Sequence, residues 1–170
     1  MEVKEARQYV VDKLDYAFKP RTIAVIGASR NEKKVGFKVI QSLRNSGYKG
    51  IIYPVNINAT EVGGLKAYRS VKDIPGDVDL AFVALPAVGV FDALKECVAK
   101  GVQIAVVSSS GFKEVGNGDL QNEITEYCRE NELPLIGPNL VGIGTPYFDF
   151  NCGFVPYLPN KGPVALISQS

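Results

Sequence analysis

The sequence predicts an α/β protein built on a Rossmann-like, doubly wound parallel sheet. Short, nearly continuous apolar runs alternate along the chain with longer amphipathic segments, which is the pattern of repeated βαβ units. The 17 glycines and 46% hydrophobic residues suit a chain with many strand-to-helix turns. Right-handed crossovers then place helices on both faces of one sheet. A chain of 170 residues is long enough for a single domain of this kind with a C-terminal tail.

The predicted strands are runs that are apolar on both faces, as expected when helices cover both sides of a sheet. The runs are Thr22–Ile26, Ile51–Val55, Val78–Leu85, Gln103–Val107 and Leu133–Ile136.

The predicted helices have apolar side chains at three- to four-residue spacing, and most of them end at a proline or glycine. A short helix is also expected at Ser70–Pro75, and Asp119 is expected near the N-cap of the last helix. The four longer helices are Glu5–Phe18, Phe37–Ser46, Val90–Lys100 and Asp119–Glu132.

The pattern loosens after Asn139, where glycine, proline and aromatic residues become frequent. The apolar run Pro163–Ile167 then predicts another buried strand, which leads into Ser168–Ser170. We therefore predict a Rossmann-like domain over residues 1–139. Residues 140–170 are predicted to be a linker and the first strand of a truncated second α/β unit.

Composition excludes several classes of function. The formal net charge is +1, so the overall charge does not attract nucleic acid. The chain contains no histidine, which rules out histidine-based acid–base steps, nucleophiles and metal sites within it. Glu114 is a candidate base, but an acid next to a helix is the favoured interpretation. We assign no catalytic residue and no metal ligand.

The cysteines and the apolar runs bear on cellular location. Cys97, Cys128 and Cys152 are widely spaced without a C-x-x-C pair, which favours reduced, packed thiols in a cytoplasmic protein. The charged N-terminal residues lack the apolar core of a secretory signal. No apolar run approaches the roughly 20 residues of a membrane span, so we expect no membrane contact.

The segment from Thr22 to Gly36 has the order of an anion-binding site: a buried strand, a loop, and the start of a helix. Unsatisfied N–H groups at a helix N-terminus, together with the helix dipole, favour a negatively charged group there. The loop adds a hydroxyl group and several cations, so a ligand with several phosphates is expected. The candidate residues are Gly27, Ala28, Ser29, Arg30, Lys33, Lys34 and Gly36.

The same segment lacks the features of an NAD site. A dinucleotide fingerprint needs G-x-G-x-x-G after the first strand and an acidic residue at the tip of the second. Here the second strand ends in Asn56–Asn58, and Glu61 lies beyond that tip. Simpler interpretations stay open: Ser29 as a helix cap and the cations as a solvated face.

The ends of the other predicted strands are also rich in small or polar residues. Ligands of open parallel sheets bind outside the carboxyl ends of the strands, where such residues let the backbone approach closely. An ordinary polar loop is the alternative for any one of these ends, and their joint occurrence favours a binding crevice. The ends are Gly27–Ser29, Asn56–Asn58, Leu85–Pro86, Ser108–Phe112 and Pro138–Asn139.

A series of motifs in this order resembles the CoA-binding domain of NDP-forming acyl-CoA synthetases, typified by the α subunit of ADP-forming acetyl-CoA synthetase and similar to that of succinyl-CoA synthetase. The resemblance covers the chain from about residue 14 to its end. The motifs are Pro20–Ser29, Tyr53–Asn56, Asp79–Pro86, Ser110–Glu114, Gly137–Asn139 and Ile167–Ser170.

The resemblance implies that coenzyme A lies across the strand ends. The turn Gly27–Arg30 and the Lys33/Lys34 loop would then meet its phosphates. Val55 and Asn56 would lie beside the adenosine half. Relatives often have Lys where this chain has Asn58, so a phosphate contact at that position would be missing or replaced by Lys33, Lys34 or Lys66. The residues implied for the pantetheine path and the reacting end are Leu85, Pro86, Ser109, Ser110, Gly111 and Asn139.

The resemblance also implies partners. In the complete enzymes a phosphohistidine in a following α domain and an ATP-grasp β subunit convert acyl-CoA, ADP and phosphate to acid, CoA and ATP. This chain has no histidine and cannot carry out that reaction alone. The alternatives are a stand-alone CoA- or NADP-binding regulatory module without catalysis and, less favoured because of the glycine spacing, an NADP-dependent reductase.

Overall fold

The chain folds into alternating strands and helices, described over residues 3–168 in a computed structural model. Two strands of two residues each pair with one another as a small antiparallel hairpin outside the main sheet. In chain order the elements are α1 (Val3–Phe18), β1 (Thr22–Ile26), α2 (Val35–Asn45), β2 (Ile51–Val55), β3 (Glu61–Val62), β4 (Leu65–Lys66), β5 (Leu80–Val83), α3 (Val90–Lys100), β6 (Ile104–Val107), α4 (Gly118–Glu130), β7 (Leu135–Ile136), β8 (Gly142–Thr145) and β9 (Phe150–Gly153).

The main sheet is parallel and has the order β2-β1-β5-β6-β7. The chain runs outward from β1 to β2 and then returns to the other side of β1 to form β5. The strand order therefore reverses between β1 and β5, which is the switch point where open α/β sheets bind ligands. The predicted fold class is confirmed.

Helices cover both faces of this sheet. Val25 points to the face that packs against Leu43 of α2, in a cluster that also holds part of α1 and the β8–β9 hairpin. Ala24 points the other way and shares a cluster with Leu94 of α3 and Ile124 of α4. This alternation explains why the strands are apolar along their whole length.

Most predicted boundaries agree with the structure to within a few residues. Helix α3 has the predicted bounds, and Gly101 ends it in a left-handed conformation with φ of 77°. Helix α2 begins at Val35, two residues early, because Gly36 lies in its first turn rather than before it. The N-cap position of α4 is Asn117, and Asp119 lies in the first turn. The predicted helix at residues 70–75 is a single 3-10 turn, and strands β5, β6 and β7 are shorter than predicted.

The segment after Asn139 differs from the prediction. Strands β8 and β9 form an antiparallel hairpin whose Phe150 and Cys152 are buried in the same cluster as α2. The predicted strand Pro163–Ile167 forms no regular structure here, and Ile167 is 97% exposed, so its assignment to a second α/β unit stays a prediction. An apolar pattern shows that side chains can be buried, but a strand also needs a partner strand. Within residues 3–168 this run has no partner strand. The division at residue 139 stays a prediction, although the hairpin packs onto the first domain.

The three cysteines are packed thiols, as predicted. Cys97, Cys128 and Cys152 are all buried and free. Burial raises the pKa of the Cys128 thiol to about 11 and raises the pKa values of Cys97 and Cys152 well above the usual range. The described residues contain no cluster of potential metal ligands and no helix long and apolar enough to cross a membrane.

Candidate functional site

The turn after β1 is built by close contact between backbones. Gly27 has φ of 88°, and a Cβ atom on it would lie 2.4 Å from the carbonyl oxygen of Ala84, at the end of β5. A Cβ atom on Gly36 would lie 2.1 Å from the carbonyl oxygen of Gly27. Both positions need glycine, since any side chain would push the strand ends and the start of α2 apart. The amino end of α2 is thereby held against the turn.

The amide groups of this turn divide into two sets. The N–H groups of Gly27 and Ala28 both donate to the carbonyl oxygen of Val55, at 3.1 and 3.2 Å, and so are already paired. The N–H groups of Ser29, Arg30 and Val35 find no acceptor among the described residues. Free donors for an anion therefore lie at Ser29 and Arg30 and in the first turn of α2.

The loop between the turn and α2 is ordered by its own side chains. The Ser29 hydroxyl accepts a hydrogen bond from the Asn31 N–H at 3.0 Å, and Asn31 Oδ1 accepts one from the Lys33 N–H at 2.9 Å. Ser29 therefore does not cap α2, whose N-cap position is Lys34 without a side-chain bond. Arg30, Lys33 and Lys34 are exposed on this loop, beside the free amides.

Asn56 ties the end of β2 to the end of β1. Its Nδ2 donates to the carbonyl oxygen of Ala28 at 2.6 Å, while its Oδ1 accepts from the N–H groups of Asn58 and Ala59, both at 2.8 Å. Val55 is buried and pairs through its carbonyl oxygen with the β1 turn. These two candidates position the turn, whereas the Asn58 side chain is exposed.

The ends of β5 and β6 lie next to the β1 turn along the carboxyl edge of the sheet. Leu85 is half-buried, with Cδ2 3.1 Å from where a Gly27 Cβ would lie, and Pro86 is exposed. A Cβ atom on Gly111 would lie 3.0 Å from Ala87 Cβ, so the β6 loop contacts the β5 loop directly.

The loop after β6 is joined to the loop after β7. The Ser108 hydroxyl donates to the Leu140 carbonyl oxygen, and the Asn139 N–H donates to the Ser109 carbonyl oxygen, both at 2.9 Å. Asn139 itself is left-handed, with φ of 58°. Ser110 is exposed, but the Ser109 hydroxyl is buried without a hydrogen-bond partner among the described residues. A buried unpaired hydroxyl is costly, so a ligand or a water molecule is expected to pair with it.

Glu114 has a role that the sequence did not indicate. Its Oε1 accepts hydrogen bonds from the N–H groups of Gly111, at 2.6 Å, and Phe112, at 3.2 Å. These backbone bonds, that from Gly111 foremost, lower the pKa of Glu114 below its ordinary value of 4.5. The carboxylate fixes the loop after β6. It also pairs with the N–H group of Gly111, a residue that the family resemblance places on the ligand path. The only sequence feature that could have indicated this role is the position of Glu114 three residues after Gly111, a spacing similar to that of a capping box.

We expect Glu114→Gln to destabilise the protein at neutral pH. Because the pKa is lowered in the folded state, the charged carboxylate stabilises the protein above about pH 4.5, and this contribution is lost as the pH falls through the folded-state pKa. Urea unfolding of wild type and variant at about pH 7 and about pH 3 checks this, because the difference should shrink in acid. Glu123→Gln, an exposed carboxylate on α4, is the control. A difference that is equal at both pH values would contradict the assigned role.

The comparisons with known proteins agree with this geometry. A family model described as a CoA binding domain matches residues 21–146, which include all five strand ends. The chain belongs to this CoA binding domain family.

Several of its relatives are ADP-forming acetate–CoA ligases. The Acetate--CoA ligase [ADP-forming] of Methanocaldococcus jannaschii is 41% identical over 157 residues, covering 92% of this chain and 22% of that protein. The Acetate--CoA ligase [ADP-forming] II subunit alpha of Pyrococcus furiosus is 45% identical over 160 residues, covering 92% of this chain and 34% of that subunit. The chain thus spans about a third or less of these relatives.

Solved structures give the same result. A crystal structure of a Pyrococcus horikoshii protein matches with a TM-score of 0.88 at 45% identity, over 92% of this chain and 36% of that one. A second match is the dinucleotide forming Acetyl-coenzyme A synthetase 1 of Ca. Korarchaeum cryptofilum, solved in complex with phosphate and ADP. Its TM-score is 0.81 at 38% identity, over 83% of this chain and 30% of that one. A conserved hypothetical protein of Pyrococcus furiosus matches with a TM-score of 0.57 at 29% identity, over 68% of this chain and 91% of its own length.

Proposed function

We propose that the chain binds coenzyme A across the carboxyl edge of its sheet, as the CoA-binding part of an ADP-forming acyl-CoA synthetase. The observation that carries this proposal is the group of unpaired amides around the β1 turn, next to exposed cations, in a member of the CoA binding domain family. A ligand with several phosphates is the chemical complement of such a group.

The phosphates are proposed to bind at Ser29 and Arg30 and at the first turn of α2, with Lys33 and Lys34 supplying further charge. Gly27 and Ala28 shape this site without donating to the ligand, since both amides are paired with Val55. The Gly36 N–H finds no acceptor among the described residues and belongs with Val35 to the donors in the first turn of α2.

The remaining candidates divide between the two halves of the ligand. Val55 and Asn56 hold the β2 end in place, and Asn58 is exposed beside the adenosine half. The pantetheine arm is proposed to pass the ends of β5 and β6 toward β7. The residues along it are Leu85, Pro86, Ser109, Ser110, Gly111 and Asn139.

The complete reaction needs more than this chain. Conversion of acyl-CoA, ADP and phosphate to acid, CoA and ATP is proposed for an assembly in which a histidine-containing α domain and an ATP-grasp β subunit join this domain. The absence of histidine from the sequence and the length of the relatives support this division of labour. In that assembly CoA is a reactant, released in the direction written and consumed in the reverse direction, rather than a resident cofactor.

The second candidate is a stand-alone module that binds CoA or NADP and regulates a partner. A similar protein of Pyrococcus furiosus, 91% of which is covered by the match, favours it because that protein is close in size to one such domain.

Titration calorimetry of this chain with CoA, dephospho-CoA, NADP and ATP tests the proposal. We expect CoA to bind most tightly and dephospho-CoA to bind more weakly, because it lacks the 3′-phosphate that the cations attract. Tight binding of NADP with no heat from CoA would contradict the proposal and favour a module of the NADP-binding kind.

Arg30→Ala is expected to weaken CoA binding by about 1.5–3 kcal/mol, the value of a charge-assisted hydrogen bond. Calorimetry measures the loss. Arg129→Ala removes the same charge from an exposed position on α4 and should leave the affinity nearly unchanged. Equal effects of the two substitutions would assign Arg30 to a solvated face.

A further inference from the structure

A groove lies at the amino edge of the sheet, at the opposite end of β1 and β2 from the proposed coenzyme A site. It is lined by the end of α1, by the residues that lead into β1 and β2, and by the β8–β9 hairpin. Its volume is about 450 Å³, which is the size of site that holds one small organic molecule. Phe18, Ile51 and Phe148 line it and are 38%, 54% and 48% exposed, so apolar surface remains to be covered there.

The charged side chains that line this groove are all cations. Lys19, Arg21 and Lys49 are exposed along it, and none of its described lining residues is acidic. The carboxylates that pair with two of these cations are not among the lining residues: Asp15 contacts Lys19 at 3.6 Å, and Asp79 contacts Arg21 at 3.5 Å. Lys49 forms no hydrogen bond or ion pair with a described residue. An anion is therefore the charge complement of the groove.

Arg21 is anchored by the buried carboxylate of Asp79. The Arg21 N–H donates to Asp79 Oδ2 at 2.7 Å, and Arg21 Nε lies 3.5 Å from the same oxygen. The N–H of Asp79 in turn donates to the Thr22 hydroxyl at 2.9 Å. The Arg21 side chain is nevertheless 82% exposed, and its Nη groups form no hydrogen bond with a described residue. A guanidinium group presented in this way can bind a carboxylate through two parallel hydrogen bonds.

The two segments that lead into β1 and β2 are locked together by their backbones. A Cβ atom on Gly50 would lie 2.5 Å from the Arg21 carbonyl oxygen, so this close approach requires glycine. The Ile51 N–H donates to that same oxygen at 2.9 Å, and the Tyr48 hydroxyl donates to the Pro20 carbonyl oxygen at 2.9 Å. Segments that are already ordered lose little entropy when a ligand binds between them.

Aromatic rings supply the apolar surface on the hairpin side. Lys19 Nζ lies 4.7 Å from the centre of the Phe148 ring, which joins the end of α1 to the hairpin. The Tyr48 and Phe150 rings pack at a tilt, with their centres 5.8 Å apart. A ligand that carries a ring or a branched apolar body next to its negative charge fits both the apolar surface and the cations.

We propose that this groove is a second binding site, which takes a small organic acid with an apolar body of about the size of a benzene ring. The carboxylate pairs with Arg21, Lys49 adds charge, and the apolar body lies against Phe148 and Ile51. The inference does not rest on the proposed binding of CoA, because the two sites lie at opposite ends of the same strands.

The experiment is a backbone amide NMR titration of the isotope-labelled chain with phenylacetate. Acetate carries the same charge without the ring, and phenylethanol carries the ring without the charge. We expect phenylacetate to bind with a dissociation constant on the order of 1 mM, as suits a ligand of this size, and the other two to bind at least about tenfold more weakly. The shifted amides should be those of Lys19, Lys49 and Phe148.

Three variants test the assigned contacts. Arg21→Gln and Phe148→Ala should each weaken phenylacetate by about tenfold, and Lys49→Gln by about threefold, because it removes a charge at the rim. Lys161→Gln removes the same charge from an exposed position in the C-terminal tail and should leave the affinity unchanged. Thermal melting checks each fold. Lys49→Gln and Phe148→Ala decide the matter if Arg21→Gln unfolds the protein by leaving Asp79 without its cation.

Phenylacetate that bound no more tightly than acetate or phenylethanol would overturn the inference. So would shifts centred on Ser29 and Arg30, which would place the acid at the proposed phosphate site, or equal losses in Lys49→Gln and Lys161→Gln. Each of these results would leave the proposed function standing. Conversely, wild-type protein that bound phenylacetate in the groove but failed to bind CoA would overturn the proposed function alone.

Discussion

Replacing Gly27 with alanine is expected to destabilise the protein by about 2–5 kcal/mol and to weaken CoA binding by at least about tenfold. A side chain in the left-handed conformation costs roughly 1–2 kcal/mol, and forcing atoms into a packed site costs roughly 1–3 kcal/mol more. Both apply here, because φ is 88° and the new Cβ would lie 2.4 Å from the Ala84 carbonyl oxygen. Relief of this contact must move the β1 turn, which carries Ser29 and Arg30 of the proposed phosphate site, away from the end of β5. Urea unfolding and calorimetry measure the two effects.

Gly64→Ala separates the two causes. Gly64 is also left-handed, with φ of 77°, but no atom of the described residues lies within 4 Å of the point where its Cβ would be. It should therefore cost only the roughly 1–2 kcal/mol of the backbone conformation and leave CoA affinity unchanged. If the two variants lost the same stability, the close approach at Gly27 would not be what shapes the turn.

Replacing Asn56 with alanine is expected to cost about 2–4 kcal/mol of stability and to weaken CoA binding. Three hydrogen bonds of the side chain are lost, each with a net value of roughly 0.5–1.5 kcal/mol. The loss also frees the Ala28 carbonyl oxygen, so the β1 turn keeps only its backbone bonds to the Val55 carbonyl oxygen as ties to β2. Unfolding in urea gives the stability and titration with CoA gives the affinity.

Two further variants give this prediction its controls. Asn58→Ala alters an exposed side chain of the same loop and should change stability by less than about 0.5 kcal/mol. Asn56→Asp keeps the acceptor for Asn58 and Ala59 but places a carboxylate against the Ala28 carbonyl oxygen, so it should also be destabilising. An aspartate variant as stable as wild type would show that the bond to Ala28 contributes nothing.

The fold was predictable because its signals are local. Strands buried on both faces are continuous apolar runs, and Gly101 ends a helix wherever that helix lies. The β8–β9 hairpin was missed because its strands contain Gly142, Gly144 and Gly153 and lack a clear alternation. Residues 163–167 have the apolar pattern of a strand but no partner strand among the described residues, so the prediction of a strand there stays open.

The candidate site was predictable in its location but not in the role of each residue. Strand ends follow from the strands, so the five loops could be named from the sequence. The neighbouring strand determines which amides are free to bind a ligand. The N–H groups of Gly27 and Ala28 are not free, because both donate to the Val55 carbonyl oxygen of β2. The same holds for Asn56 and Glu114, whose partners are set by how the loops pack.

The most direct test of the account is a backbone amide NMR titration of the isotope-labelled chain with CoA. We expect the largest shifts at Ser29, Arg30 and Val35, continuing through Ser109 and Ser110, with little change in the β8–β9 hairpin. Saturating CoA that left those amides unmoved, or shifted mainly the hairpin and the tail, would contradict a CoA site at the carboxyl edge of the sheet.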